Sequence, residues 1–122
     1  MNGIIKKLKK DEVFVFGSNM NGFHSGGAAK LANEKFGAIW GKSEGPQGKS
    51  YAICTLDTRM NKVSLNYIKW QLEDLVKYAK SKKDKIFLLT PVGTGIAGFS
   101  LEEIESILPK RMPKNIIKIW KN

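Results

Sequence analysis

Cysteine and histidine are nearly absent from this 122-residue sequence, with one of each, Cys54 and His24. A lone cysteine excludes a disulfide within the chain and a cysteine-only zinc site. A lone histidine excludes a His-rich metal centre, so neither metal nor cofactor is expected. Long apolar runs are also missing. Nothing approaches the roughly 20 residues that span a bilayer, and the basic start Met1–Glu12 lacks a signal peptide's apolar stretch. The expectation is a cytoplasmic protein with no membrane partner. Arginine is scarce too: Arg59 and Arg111 stand against nineteen lysines. Arginine reads guanine edges and phosphates bidentately, whereas lysine is a hydrated point charge. The formal charge of +10 therefore argues for a solvated lysine face rather than a sequence reader. No zinc-finger, helix-turn-helix or basic-zipper pattern is present. Nucleic-acid binding through the lysines is the weaker alternative.

What the chain does have is enough apolar content, 42%, for one cored domain over residues 1–122. Its charge is uneven. Residues 61–85 hold seven lysines against three acids, and residues 106–122 hold five bases and no acid. Residues 86–105 hold three acids and no base.

Val13–Phe16 is a short apolar, β-prone run that predicts a buried strand ending at Gly17. Gly26–Phe36 reads as a helix with a small-residue start and Gly37 as its stop. Tyr51–Cys54 is a second strand. Leu65, Ile68, Leu72, Leu75, Val76 and Ala79 form one apolar stripe of a helix over Ser64–Ser81, with Ser64 as N-cap. Lys85–Thr90 is a third strand, and Pro91–Phe99 a glycine-rich loop. Ser100 and Glu103 have capping-box spacing, so a helix is expected from Leu101 to about Leu108. Asn115–Trp120 closes as a strand. Such alternation predicts an α/β layered domain with a largely parallel or mixed sheet. Ligands of such sheets sit at the strands' carboxyl ends, where the glycine loops fall.

Two glycine segments fail as P-loops. Gly37–Ser43 has three residues between its glycines where four are required, and Gly48-Lys49-Ser50 lacks the first glycine. Gly93-Thr94-Gly95-Ile96-Ala97-Gly98 matches GxGxxG, follows a strand and leads into a helix. Glycines there let a diphosphate approach, backbone N–H groups grip it, and the helix N-terminus favours its charge. A dinucleotide fold needs an acid about 20 positions on. Here the last strand ends the sequence instead, so a Rossmann site is not expected, and an ordinary tight loop is the competing reading.

A second loop, Phe16–Ala29, runs from strand to helix through Gly17, Ser18, Asn19, Gly22, His24, Gly26, Gly27 and Ala28. Asn19 offers donor and acceptor, as a ribose hydroxyl requires. His24 is the only side chain that ordinarily titrates near neutrality. Its place among glycines makes it a candidate general base, in competition with a structural role.

These residues resemble a known family, the macrodomains, which bind ADP-ribose. Pro91–Phe99 (PVGTGIAGF) is very like the macrodomain loop that wraps the diphosphate and sets an aromatic residue near the distal ribose. Val15–Asn19 (VFGSN) is similar to the strand-end motif VNAAN, its last Asn coinciding with Asn19. Gly26–Ala29 resembles the GGVA-type turn that follows. Gly45-Pro46-Gln47-Gly48 sits where the family has a glycine-containing connection. The segments FGSN-x4-H, FGAIWG and EGPQGKSYAICT look like a short macrodomain-like group from bacteria and phages. In that group proline is expected where this chain has Cys54, a residue more at home in the core than as a nucleophile.

The resemblance implies a three-layer macrodomain-like α/β fold, a small mixed or parallel sheet flanked by helices. It implies an ADP-ribose-type ligand held by Gly93, Thr94, Gly95, Ile96, Ala97 and Gly98 at the diphosphate, with Phe99 at the distal ribose. Gly17, Ser18, Asn19, Gly22, Gly26, Gly27 and Ala28 would lie beside it. One alternative is an ADP-ribosyl hydrolase or phosphatase with His24 as general base and Asn19 orienting the sugar. Another is sequestration or cleavage of an ADP-ribose-derived signal. The chain departs from the family at Gly3-Ile4-Ile5, where an adenine-binding Asp is usual. Phe16 stands for the motif's first Asn, and neither Ala28 nor Ala29 is an acid.

Overall fold

A computed structural model describes residues 5–120; Gly3 and Ile4, part of the segment where the adenine-binding acid is missing, lie outside them. Among the described residues are five strands and three helices. They are β1 (Glu12–Asn19), α1 (Gly27–Lys35), β2 (Gly45–Gln47), β3 (Ser50–Leu56), α2 (Leu65–Ser81), β4 (Ile86–Leu89), α3 (Leu101–Ser106) and β5 (Ile116–Lys118). The sheet order is β2-β3-β1-β4-β5. β1 pairs in parallel with β3 and β4, and β4 with β5, while β2 runs antiparallel to β3. The expected α/β architecture with a mostly parallel sheet is present.

Alternation along β1 makes the three layers. Phe14 and Phe16 point to one face, where they pack with Ala29, Ala32 and Phe36 under α1. Val15 points to the other, joining Ile53, Leu72, Leu75, Phe87, Leu89 and Ile104 under α2 and α3. Burying one such aromatic or branched side chain is worth about 1.5–3 kcal/mol. A central strand covered on both faces must therefore read as the unbroken apolar run seen at Val13–Phe16.

α1 stops at Gly37, whose φ of +77° suits glycine. Ser64 caps α2 by accepting from the Tyr67 N–H at 3.1 Å. The α2 stripe buries one polar residue among its apolar ones, Gln71. Its Oε1 accepts from the Cys54 N–H at 2.6 Å, and its Nε2 donates to the Cys54 carbonyl at 2.8 Å. The pairing of β2 with β3 ends at Ala52, so Gln71 supplies the bonds that a neighbouring strand would have made to Cys54.

β2 is an element not expected from Gly45-Pro46-Gln47, because Gly and Pro are poor strand formers. Its anchor is buried Gln47, which accepts from the Ile39 N–H at 2.7 Å and donates to the Lys42 carbonyl at 3.1 Å. α3 ends at Ser106, short of Leu108, and β5 covers only the middle of the expected 115–120 span. No helix among the described residues is long and apolar enough to cross a membrane.

β1 is the turning point of the topology. The chain leaves it through α1 to β3 on one side, then returns through α2 to β4 on the other. The segments after β1 and after β4 consequently diverge and leave a crevice at their carboxyl ends.

Candidate functional site

That crevice is a cleft of about 390 Å³. Its walls are Gly17, Ser18 and Asn19 from β1, Phe23, Ser25 to Ala29 at the start of α1, and Thr90 to Ala97 after β4. Thr55, Leu56 and Met60 complete it from the β3 side. The two glycine loops singled out in the sequence thus meet in one place.

The loop after β4 is built with its amides partly unspent. The Thr94 N–H donates to the Pro91 carbonyl at 3.3 Å, the Gly98 N–H to Gly95 at 3.0 Å, and the Phe99 N–H to Gly93 at 2.9 Å. The N–H groups of Gly93, Gly95, Ile96 and Ala97 find no acceptor among the described residues. Gly93 has a φ of +80°, and a Cβ there would stand 3.2 Å from Ile104 Cδ1 and 3.3 Å from Phe99 Cδ2. A side chain at 93 would therefore be strained and pressed against the core. Gly93 and Ala97 are buried while Gly95 and Ile96 are exposed, so the four amides without a protein acceptor line the cleft from its floor to its rim, a run of N–H groups suited to an anion.

α1 begins in the same wall. Its N-cap is Gly26, which has no side chain to cap with, and its first turn carries no acid. The first-turn N–H groups and the positive end of the helix dipole are left for whatever occupies the cleft. The other helix start behaves in the opposite way. Ser100 accepts from the Glu103 N–H at 3.0 Å, and Glu103 returns the bond to the Ser100 N–H at 2.9 Å. The N-terminus of α3 is thus closed by its own capping box, and the anion-favouring helix end expected after GxGxxG is α1 instead.

Asn19 ends β1 beside a register irregularity and is buried. Its Nδ2 donates to the Phe23 carbonyl at 2.9 Å, and its Oδ1 accepts from the Phe23 N–H at 3.0 Å. The amide that was expected to meet a ribose thus spends one donor and one acceptor on fixing the 19–23 turn, keeping one N–H and one lone pair. The Thr90 hydroxyl donates to the Val15 carbonyl at 2.7 Å, Thr94 to Pro91 at 2.7 Å and Thr55 to Ser18 at 3.2 Å. Ser18 donates to the Ser43 carbonyl. None of the cleft-lining residues carries a charge.

Of the residues proposed from sequence, Gly17, Ser18, Asn19, Gly26, Gly27, Ala28, Gly93, Thr94, Gly95, Ile96 and Ala97 line the cleft. His24, Gly22, Gly98 and Phe99 do not. His24 is buried between Phe16 and Trp40, with ring centroids at 5.3 and 6.3 Å. Neither of its ring nitrogens has a hydrogen-bond partner among the described residues. Gly22 packs on Gly41, where a Cβ would come within 2.3 Å of backbone. Phe99 lies buried beneath the loop, with Lys62 Nζ 4.7 Å from its ring centroid. Cys54 is buried as expected, and burial, with Glu44 a lesser cause, pushes its thiol up to about 11.

Thr55 and Thr90 went unassigned although each is a polar residue ending an apolar strand, the position from which ligand contacts usually come. Met60 gave no signal. It reaches the cleft from the turn after β3, where Asp57 Oδ1 accepts from the Arg59 and Asn61 N–H groups at 2.8 and 3.0 Å. Among the described residues no group of three or more His, Cys, Asp or Glu could hold a metal ion.

The lysines lie elsewhere. Lys69, Lys77 and Lys80 are exposed on α2. Lys10, Lys49, Lys82 and Lys85 surround a second cavity of about 410 Å³ where β1, β3 and β4 begin, at the opposite end of the sheet. Comparison with protein-family models, with curated proteins and with solved structures gave no match to this chain.

Proposed function

We propose that the cleft binds a diphosphate-bearing nucleotide of the ADP-ribose type. One observation carries this reading: the four free N–H groups of Gly93, Gly95, Ile96 and Ala97, in the same cleft as the uncapped start of α1. Oriented backbone dipoles on both walls suit an anion spread over several oxygens. The likeness of Pro91–Phe99 to the macrodomain diphosphate loop supports the same ligand class. So does the size of the cleft, within the usual range for sites of small molecules.

Binding is preferred to hydrolysis. A general base must reach the reacting group within hydrogen-bond distance or through one water. The polar side chains of the cleft lining are only hydroxyls and an amide, and His24 is not among the lining, its buried ring packed edge-on with those of Phe16 and Trp40. A protein that holds the nucleotide without turning it over is the reading these residues favour.

Calorimetric titration tests it. ADP-ribose and pyrophosphate are expected to bind with one site per chain, and adenosine, which lacks the anion, to bind far more weakly. Adenosine binding as tightly as ADP-ribose would overturn the reading, as would no heat from ADP-ribose at millimolar concentration.

A further inference from the structure

Two of the large apolar side chains on this surface stand together beside the cleft. Phe23 is 49% exposed and Trp40 53% exposed, and their rings stack with centroids 5.5 Å apart and planes 17° from parallel. Phe23 itself lines the cleft. One of its faces rests on Trp40, which leaves the other uncovered by that ring. Exposed aromatic area is costly in water, at about 25 cal/mol per Å². The backbone fixes where this ring is rooted. The Asn19 amide clamps both the N–H and the carbonyl of Phe23. The Gly41 N–H donates to the Gly22 carbonyl at 2.9 Å, tying the turn that carries Phe23 to the segment that carries Trp40. Gly22 and Gly41 touch so closely there that no side chain fits at 22.

We infer that Phe23, backed by Trp40, is a stacking platform for the base of the bound nucleotide. The inference rests on the nucleotide reading above and adds where the base lies. Phe23 and the start of α1 line the same cleft, so a base on the ring and a phosphate at the helix start can belong to one ligand. Stacking uses the face common to every base and is tolerant of base identity. Reading a base by its edges needs several polar side chains with unspent donors and acceptors; near Phe23 in the chain, Asn19 spends one of each on the Phe23 backbone and Ser25 offers a single hydroxyl. The platform therefore favours a planar base without choosing among bases.

The test measures dissociation constants of ADP, UDP and pyrophosphate for the wild type, Phe23→Ala and Phe23→Tyr. In the wild type ADP and UDP should bind alike, each about tenfold or more tighter than pyrophosphate. Phe23→Ala should bring both down to the pyrophosphate value while leaving pyrophosphate itself unchanged, and Phe23→Tyr should restore them. A folding defect would weaken all three ligands together, and its appearance in Phe23→Tyr as well would overturn the stacking role. Equal wild-type affinity for ADP and pyrophosphate overturns the platform and leaves the diphosphate cradle standing. An ADP preference that survives Phe23→Ala places the base elsewhere and also overturns it. If pyrophosphate and ADP both fail to bind, the nucleotide reading falls and the platform with it. Sedimentation covers the remaining occupant: a dimer that Phe23→Ala dissociates would assign the aromatic pair to self-association instead.

Discussion

Gly26 is the N-cap of α1, its backbone extended at φ −152° and ψ 159°, and a Cβ built there meets nothing within 4 Å. Any residue can take that conformation, so Gly26→Asp introduces neither strain nor clash. The new carboxylate would accept from the first-turn N–H groups that now lack a side-chain cap. Relative to glycine such a cap adds a few tenths of a kcal/mol, and the helix dipole adds about 0.3–1 kcal/mol. Thermal or denaturant unfolding should thus show a protein more stable by about 0.5–1 kcal/mol. Binding should move the other way. At about 4 Å, a unit charge repels a phosphate by about 1 kcal/mol in water and about 4 kcal/mol near a protein surface. An intermediate value of about 2 kcal/mol corresponds to roughly 30-fold weaker binding of ADP-ribose by calorimetry. Gly26→Ser caps without charge and should lose much less. An aspartate variant that is more stable yet binds as the wild type does would refute the assignment of α1 to the anion. Loss of stability would refute the helix geometry.

Other consequences follow from single contacts. Gln71→Met keeps the length of the side chain but strands the Cys54 N–H and carbonyl, so chemical denaturation should show a loss of about 2–3 kcal/mol; a change under 0.5 kcal/mol would contradict the bridging role. Cys54 and Tyr51 are both raised in the fold by burial, from 9.0 to about 11 and from 10.0 to about 12. Groups raised in this way stabilise below their unfolded values and lose that contribution as pH climbs, so stability should fall from about pH 9 toward 12. Cys54→Ala should flatten the part of that fall between 9 and 11, and an unchanged slope would exclude the thiol. Ser100→Ala removes half of the α3 capping box and should cost about 1 kcal/mol without altering ADP-ribose affinity; a matching loss of affinity would mean that α3 helps to hold the ligand.

The sequence was most informative where one physical requirement dominated. Val13–Phe16 had to be a buried strand because it is covered on both faces, and the α2 stripe could point only one way. The two glycine loops were legible because strand ends in an α/β sheet open to one side. β2 was hidden because three residues containing Gly and Pro have no strand signature. It exists through Gln47 and its pairing with Ser50–Ala52. His24 was misleading for a related reason. A histidine between glycines suggests exposure, but Phe16 presents an aromatic face on that side of the sheet, and His24 covers it beneath Trp40. Phe99 went beneath its loop rather than into the cleft because positive-φ Gly93 leaves room there for an aromatic ring. Such choices depend on what long-range packing brings alongside, and no local pattern records that.

If backbone amides hold the anion, amide proton shifts report on them one by one. In a ¹⁵N–¹H titration with ADP-ribose, the resonances of Gly93, Gly95, Ile96 and Ala97 should move downfield as their N–H groups acquire an acceptor, together with Gly27 and Ala28 at the start of α1. Thr94, Gly98 and Phe99, already bonded within the loop, should move less. Shifts centred instead on Lys10, Lys49, Lys82 and Lys85, with the 93–97 amides unmoved, would rule out the glycine loop as the anion's cradle and assign the anion to the opposite end of the sheet.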